Sequence, residues 1–246
     1  MNNFILGFKF ALSYFTIIPI KFKENDDLSK KEILSFMLFS LPLVGLIIGV
    51  ITLCLFYIVE DLSWLGATIC AVSYMIFYGF IHTEAIIDVV DAIYAKHSGK
   101  DAYEVIKEPT IGAMGVLYAF AFFILKIAGI VYLFLHNYLF EFLAIIIISR
   151  LMVLFVIKSF EFKSSFVNQL KSSLSNNIFL SAIAIFTLVN ILLIGLKAIT
   201  LTIFAFIISY LFALFIKKSV GFLNGDALGT ILELSEVFLI IFFLLL

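Results

Sequence analysis

Apolar residues run along this chain in long stretches rather than alternating with polar ones. Seven stretches are long enough to cross a bilayer, which takes about 20 apolar residues. They cover roughly residues 33–59, 64–82, 114–135, 138–157, 178–196, 198–216 and 227–246. An eighth apolar segment, Phe4–Ile20, is interrupted by Lys9 and ends at Pro19. It lies along the interface, re-enters or spans, and the interruptions favour an interfacial or half-inserted helix. The expected fold is therefore all-α: a polytopic membrane bundle of about seven spans plus that N-terminal helix, with residues 1–246 as one domain. No internal repeat of the kind found in inverted-repeat transporters is present. The N-terminus lacks a small-residue cleavage site, so the first segment reads as retained.

The polar connectors set the orientation. Those at 21–32, 83–113, 158–177 and 217–226 hold twelve of the sixteen basic residues, while the short opposite connectors hold Lys197 alone. Under the positive-inside rule the first set is cytoplasmic, and the site is expected on that face of a bacterial or archaeal-type inner membrane.

Composition agrees with this reading. The chain is 64% hydrophobic and 13% charged, far from the balance of a soluble domain. A net charge of −1 gives no reason to expect a nucleic-acid partner, and the lipid bilayer is the expected environment. Cys54 and Cys70 lie inside apolar spans and read as packing residues. The sequence leaves the oligomeric state open, a homo-oligomer included.

Ionisable groups in or beside membrane spans are costly and mark functional sites. Glu84, Asp88 and Asp91 follow one another at i, i+4 and i+7, within an arc of roughly 60° on a helix. Three like charges on one stripe repel, so a cation between them is the attractive reading, and carboxylate oxygens suit Mg²⁺. The alternative is a solvated acidic loop. His82 sits on the other side of that wheel and is either a substrate contact or a hydrogen-bonded structural group.

Lys107 to Gly115 reads as a helix start, with Pro109 in the first turn and Gly112 and Gly115 allowing close backbone approach. Free N–H groups there suit a phosphate; small-residue helix packing is the other reading. Gly221 to Glu233 opens the last span. Asn224 or Asp226 can cap it, with Gly225 between them, while Asp226, Thr230 and Glu233 again recur at i, i+4 and i+7. That descending stripe is read as a second acidic site, with Glu236 further round the wheel. Lys126 and Arg150 lie within spans, either as structural ion pairs or as partners for substrate phosphates. For Lys126 a substrate-bearing cavity is expected, with a phosphate or Glu233 as its partner. Two acidic clusters, two buried cations and a glycine-bearing helix start at one face suit metal-dependent phosphoryl transfer. No Walker A loop, GxSxG elbow or GxGxxG is present.

In order along the chain, these segments resemble the cobalamin synthase family, the adenosylcobinamide-GDP ribazoletransferases. The resemblance rests on Phe15-Thr16-Ile17-Ile18-Pro19, Pro42-Leu43-Val44-Gly45, His82 through Ala92, Ile106 through Gly115, Lys126, Ser149-Arg150 and Gly221 through Glu233. It implies Mg²⁺-dependent transfer of the cobinamide phosphate of adenosylcobinamide-GDP to α-ribazole or its 5′-phosphate, with GMP leaving. The site residues it implies are Asp88, Asp91, Asp226 and Lys126 as catalytic groups. Glu84, Asp88, Asp91, Asp226 and Glu233 would hold metal; His82, Arg150, Lys107, Gly112, Gly115, Asn224 and Gly225 would bind substrate. The departures are Glu84 for the family's Asp, Ala85 and Ala92 for glycines, Glu108 and Thr110 for Asp and Arg, and Asn224 for Thr. The alternatives are a phospholipid synthase of the CDP-alcohol phosphotransferase type, whose DGxxAR pattern is missing, and a cation or metabolite transporter using the same carboxylates.

Overall fold

The computed structural model of the protein describes residues 2–107 and 110–246, the side chain of Lys107 excepted. Among these residues there are helices and no strands. In chain order they are α1 (Asn3–Phe15), α2 (Lys31–Phe39), α3 (Leu41–Val59), α4 (Trp64–Phe77), α5 (Ile81–His97) and α6 (Ala102–Lys107), then α7 (Ala113–Leu135), α8 (Leu139–Ser159), α9 (Ser165–Ser173), α10 (Asn176–Ile194), α11 (Lys197–Val220) and α12 (Gly225–Leu245). Helices α3, α7, α8, α10, α11 and α12 are each long and apolar enough to cross a membrane. The protein is an all-α, multi-pass membrane bundle.

Two of the expected spans are broken. The stretch 33–59 divides at Ser40 into α2 and α3. Pro42 has no N–H to donate to the carbonyl of Leu38, and its ring crowds that carbonyl, so the helical ladder cannot run through. Ser40 takes up the loose end: its N–H and its hydroxyl both donate to the Phe36 carbonyl, at 3.0 and 2.7 Å. The stretch 64–82 ends earlier than its hydropathy suggests. Helix α4 stops at Phe77, and Gly79 and Phe80 both take left-handed backbone, at φ 65° and 54°. The chain turns by 78° into α5. The first acidic stripe therefore stands on a separate helix beyond the bend rather than at the end of a straight span.

Helix α8 is the hub. Most of α8 is buried and most of α10 is not, so α8 runs through the middle of the bundle while α10 presents its side chains outward. The run Ile145–Ile148 followed by Leu151–Leu154 is apolar on every face, as a helix enclosed by α3, α7, α10, α11 and α12 requires. Helix α1, with 13 residues, rises only about 20 Å and is too short to span. It lies against α2, and the Ile17 N–H donates to the Phe77 carbonyl at the end of α4.

Helices α3 and α4 form a hairpin closed by the turn at 60–62. A Cβ on Gly66 would sit 2.1 Å from the backbone oxygen of Val59, with no flexible side chain to yield. Gly66→Ala is expected to open that hairpin, at a cost at or above the ~1–3 kcal/mol typical of overpacking. A lower melting temperature and a broadened size-exclusion profile in detergent would register it; a wild-type melting curve would contradict the packing described.

Candidate active site

The buried charged groups form one network at the meeting of α7, α8 and α12. Lys126 is 1% exposed, Glu233 and Glu236 2% each, and Arg150 5%. The Lys126 ammonium lies 2.6 Å from Glu233 Oε2 and 2.6 Å from Glu236 Oε2, and the Arg150 guanidinium pairs with the other oxygen of Glu236. Two cations meet two anions. The hydroxyls of Tyr74 and Ser149 each donate to Glu236 Oε1 at 2.9 Å, and Lys126 donates to the Tyr78 hydroxyl at 3.1 Å. Tyr74 and Tyr78 also turn their rings to the ammonium, with centroids 5.2 and 4.9 Å away.

This placement corrects two expectations. Lys126 is enclosed by carboxylates and tyrosines rather than by a substrate-bearing cavity, because the two glutamates of α12 converge on it. Glu236, which the α12 wheel sets aside, joins both cations. The signal for it was present: two acids three residues apart on α12 and two otherwise unpaired cations on other spans.

The outer acidic residues lie where α5 packs on α12. The two helices touch closely: a Cβ on Gly229 would meet the Cβ of Ala85 at 2.8 Å, and the Thr230 hydroxyl donates to the Ala85 carbonyl at 2.9 Å. On α5, Glu84 is exposed and Asp88 half-buried. Asp88 feels the field of Asp226 most strongly, then those of Glu84 and Asp91. Asn224 caps α12 by accepting from the Ala227 N–H at 3.0 Å, and its amide donates to Asp226 Oδ2 at 2.6 Å. Asn224 thus serves both as cap and as the group that aims Asp226.

Asp91 is otherwise engaged. Its carboxylate accepts from the Gly112 N–H at 2.6 Å and the Gly115 N–H at 2.9 Å. The start of α7 is an anion site, as its sequence suggests, but the anion is this side chain rather than a phosphate. A Cβ on Gly112 or Gly115 would fall 2.4 or 2.7 Å from the Asp91 carboxylate, so both glycines make room for it. The reading of Lys107, with Glu108 and Pro109, lies outside the described residues. Among the described residues no three His, Cys, Asp or Glu side chains are gathered closely enough to hold a metal as they stand. Asp91 is spent on α7 and Glu233 on Lys126, which leaves Glu84, Asp88 and Asp226 as the oxygen donors.

Beside Asp226 opens a cavity of about 300 Å³, formed where α1, α2, α3, α5, α8, α9 and α12 meet. Its walls are mostly apolar and aromatic, with Tyr14, Phe15 and Phe166 among them; Arg150, His82 and Asp226 supply charge and hydrogen bonding, and Gly225 lines the mouth. The His82 ring lies between those of Phe15 and Tyr78, at 6.0 and 5.8 Å. Such a chamber accepts a flat, largely apolar group and presents its polar end to an acid and a guanidinium. Arg150 belongs to both the chamber and the buried network.

A family model described as cobalamin-5-phosphate synthase matches residues 7–244. Among curated proteins, the chain is 28% identical over 246 residues to an adenosylcobinamide-GDP ribazoletransferase of Clostridium perfringens strain SM101, covering 96% of each chain. It is 29% identical over 241 residues to one from Brevibacillus brevis, covering 94% of each. Against one from Clostridioides difficile the identity is 27% over 263 residues, covering 100% of this chain and 98% of that one. No solved structure matches.

The buried network makes a prediction about stability. Lys126→Met strands Glu233 and strips Glu236 of one of its two cations, so it is expected to destabilise the bundle by about 3–5 kcal/mol. Adding Glu233→Gln removes the stranded charge and is expected to restore most of the melting temperature, since Glu236 keeps Arg150. Melting curves of the two single variants and the double variant test this; additive losses would show that the pair does not exist.

Proposed function

The chain belongs to the cobalamin-5-phosphate synthase family, and from that premise we propose that it transfers the cobinamide phosphate of adenosylcobinamide-GDP to α-ribazole or its 5′-phosphate, releasing GMP. The observation that carries the reading is the contact of α5 with α12. That contact puts Asp226 in the wall of a chamber that suits a small aromatic base, with Asp88 in the field of Asp226.

The chemistry is a displacement at phosphorus. A ribazole hydroxyl attacks the phosphorus joined to cobinamide, the bond from that phosphorus to the bridging oxygen breaks, and GMP leaves with the electron pair. On this reading Asp88 or Asp226 takes the hydroxyl proton, which ends on the leaving phosphate or in water. The ribazole base occupies the chamber, against Phe15 and Phe166, with His82 as its hydrogen-bonding neighbour. Arg150 adds positive charge on the chamber side. The corrinoid ring is far larger than 300 Å³ and stays outside.

Magnesium is the proposed cofactor. Glu84, Asp88 and Asp226 are not gathered around one point as they stand, but their chemistry suits a hard cation: all three offer carboxylate oxygens, and no ion pair among the described residues relieves their mutual repulsion. These three would hold it, and when bound it neutralises phosphate charge. Asp91 and Glu233 support the arrangement at one remove, by fixing α7 to α5 and α12 to α7.

Purified protein in detergent is expected to release GMP from adenosylcobinamide-GDP only when ribazole and Mg²⁺ are both present. Asp88→Asn is expected to lower that rate by at least ~100-fold, the scale of one general acid–base group, while melting as wild type. Undiminished turnover by Asp88→Asn in EDTA would remove both the carboxylate and the metal from the reading.

The site faces the cytoplasm on this reading, as the lysine bias indicates. In a background lacking Cys54 and Cys70, cysteines at Ser98 and Gly225 are expected to label only from the cytoplasmic side and one at Asn137 only from outside. Labelling of Ser98 and Gly225 from opposite sides would break the single-face arrangement.

A further inference from the structure

A second recess lies on the far side of the loop that leads into α12. Its volume is about 270 Å³, and it is lined by Lys96, Lys100 and Lys163 together with Tyr103, Phe222 and Asp101. The three lysines come from two parts of the chain: Lys96 and Lys100 from the end of α5 and the turn after it, and Lys163 from the loop after α8. A backbone hydrogen bond holds that last loop in place, from the Lys163 N–H to the Leu223 carbonyl at 2.7 Å. The Lys163 ammonium sits 3.5 Å from the centroid of Tyr103 and 5.2 Å from that of Phe222, and the two rings meet edge to face at 5.3 Å. Among the described residues none of the three lysines is paired with a carboxylate. Asp101 is the recess's one acid, and it already accepts from the Tyr103 N–H at 2.8 Å.

Lysines on this face also serve orientation, and that alone explains basic residues scattered over connectors. It does not explain a recess that three of them line, one of them seated over two aromatic rings. That combination fits a ligand with an anionic group and a flat ring system: phosphate on the ammonium groups, base against the aromatics.

The position of the recess says which ligand. Along α5, His82 and Ala85 line the apolar chamber, Asp88 follows, and Lys96 lines the recess about 12 Å further on. Along the entry to α12, Gly221 and Phe222 line the recess, while Gly225 and Asp226 line the chamber. Along α5 Asp88 thus lies between the two openings, and Asp226 stands in the chamber wall on the side where the chain runs back to the recess. A displacement at phosphorus that proceeds in line needs its attacking and leaving groups on opposite sides of the reacting atom.

We propose that this recess is the nucleotide subsite, holding the guanosine monophosphate portion of the activated substrate and then the released GMP. The proposal rests on the reading of the protein as a ribazoletransferase: the chamber takes the acceptor, the acidic pair takes the transferred phosphoryl group, and the recess takes the leaving nucleotide.

The test compares wild type, the triple variant Lys96→Gln/Lys100→Gln/Lys163→Gln, and the control Lys217→Gln/Lys218→Gln, which removes exposed positive charge from the end of α11 outside the recess. Direct binding of labelled GMP and steady-state kinetics are measured in nanodiscs of phosphatidylcholine, with and without anionic phosphatidylglycerol. The triple variant is expected to weaken GMP binding roughly tenfold or more, from lost charged hydrogen bonds. KM for adenosylcobinamide-GDP should rise in parallel, with KM for ribazole and the melting temperature unchanged; the control should match wild type. Unchanged GMP binding by the triple variant overturns the proposal. So does an equal loss in the control, which would mean general surface charge, or a loss confined to discs with phosphatidylglycerol, which would assign the recess to lipid headgroups. Wild type that binds GMP through these lysines but releases none from adenosylcobinamide-GDP would leave the nucleotide site standing and sink the transferase reading.

Discussion

The whole arrangement hangs on a neutral group of four buried charges. Lys126, Arg150, Glu233 and Glu236 belong to three different helices, and each would be prohibitive alone in a membrane interior. Together their charges cancel, and Tyr74, Tyr78 and Ser149 fill most of the remaining hydrogen-bonding valence. Apolar packing tells helices in lipid little about rotation or depth, because lipid chains are as apolar as leucine. Charges that must meet are more demanding: a rotated or shifted α12 would leave four ions unpaired. Once α12 is placed, its outer end is placed with it, and Asp226 is presented to Asp88.

The membrane class and the polar residues that matter were legible because ionisable groups stand out against 64% apolar sequence. Their partners were not. A wheel drawn for α12 puts Asp226, Thr230 and Glu233 on one stripe and invites a single role. In the bundle Thr230 meets α5, Glu233 meets α7, and Glu236 meets α7 and α8, so neighbouring positions of one helix serve different neighbours. The glycine-bearing start of α7 suits either a phosphate or close helix packing on sequence alone; nothing in linear spacing said that Asp91 occupies its N–H groups. The bend after Phe77 was hidden because hydropathy continues across Gly79 and Phe80, whereas backbone handedness does not.

A division of labour follows among the carboxylates. Those fixed by strong internal partners, Asp91, Glu233 and Glu236, hold helices together. Those left in one another's field, Glu84, Asp88 and Asp226, sit at the surface of that frame, near two openings of contrasting character. One opening is apolar and aromatic, the other basic. The departures at Ala85 and Asn224 are accommodated: Ala85 packs against Gly229, and Asn224 keeps the capping role.

The shortness of two helices has a further meaning for the surrounding lipid. Helix α4 has 14 residues and α1 has 13, rising about 21 and 20 Å, and they are joined where α1 ends against Phe77. A hydrocarbon layer about 30 Å thick cannot match either one. Hydrophobic mismatch of this kind is relieved by thinning of the adjacent leaflet. Tyr14 and Phe15, at the end of α1, form part of the chamber wall, so the thinned patch lies at its edge. On the proposed reading, a bulky, water-soluble substrate would meet a dip in the membrane surface there, and its phosphorus would have a shorter way to descend to Asp88 and Asp226 than the full depth of the bilayer demands.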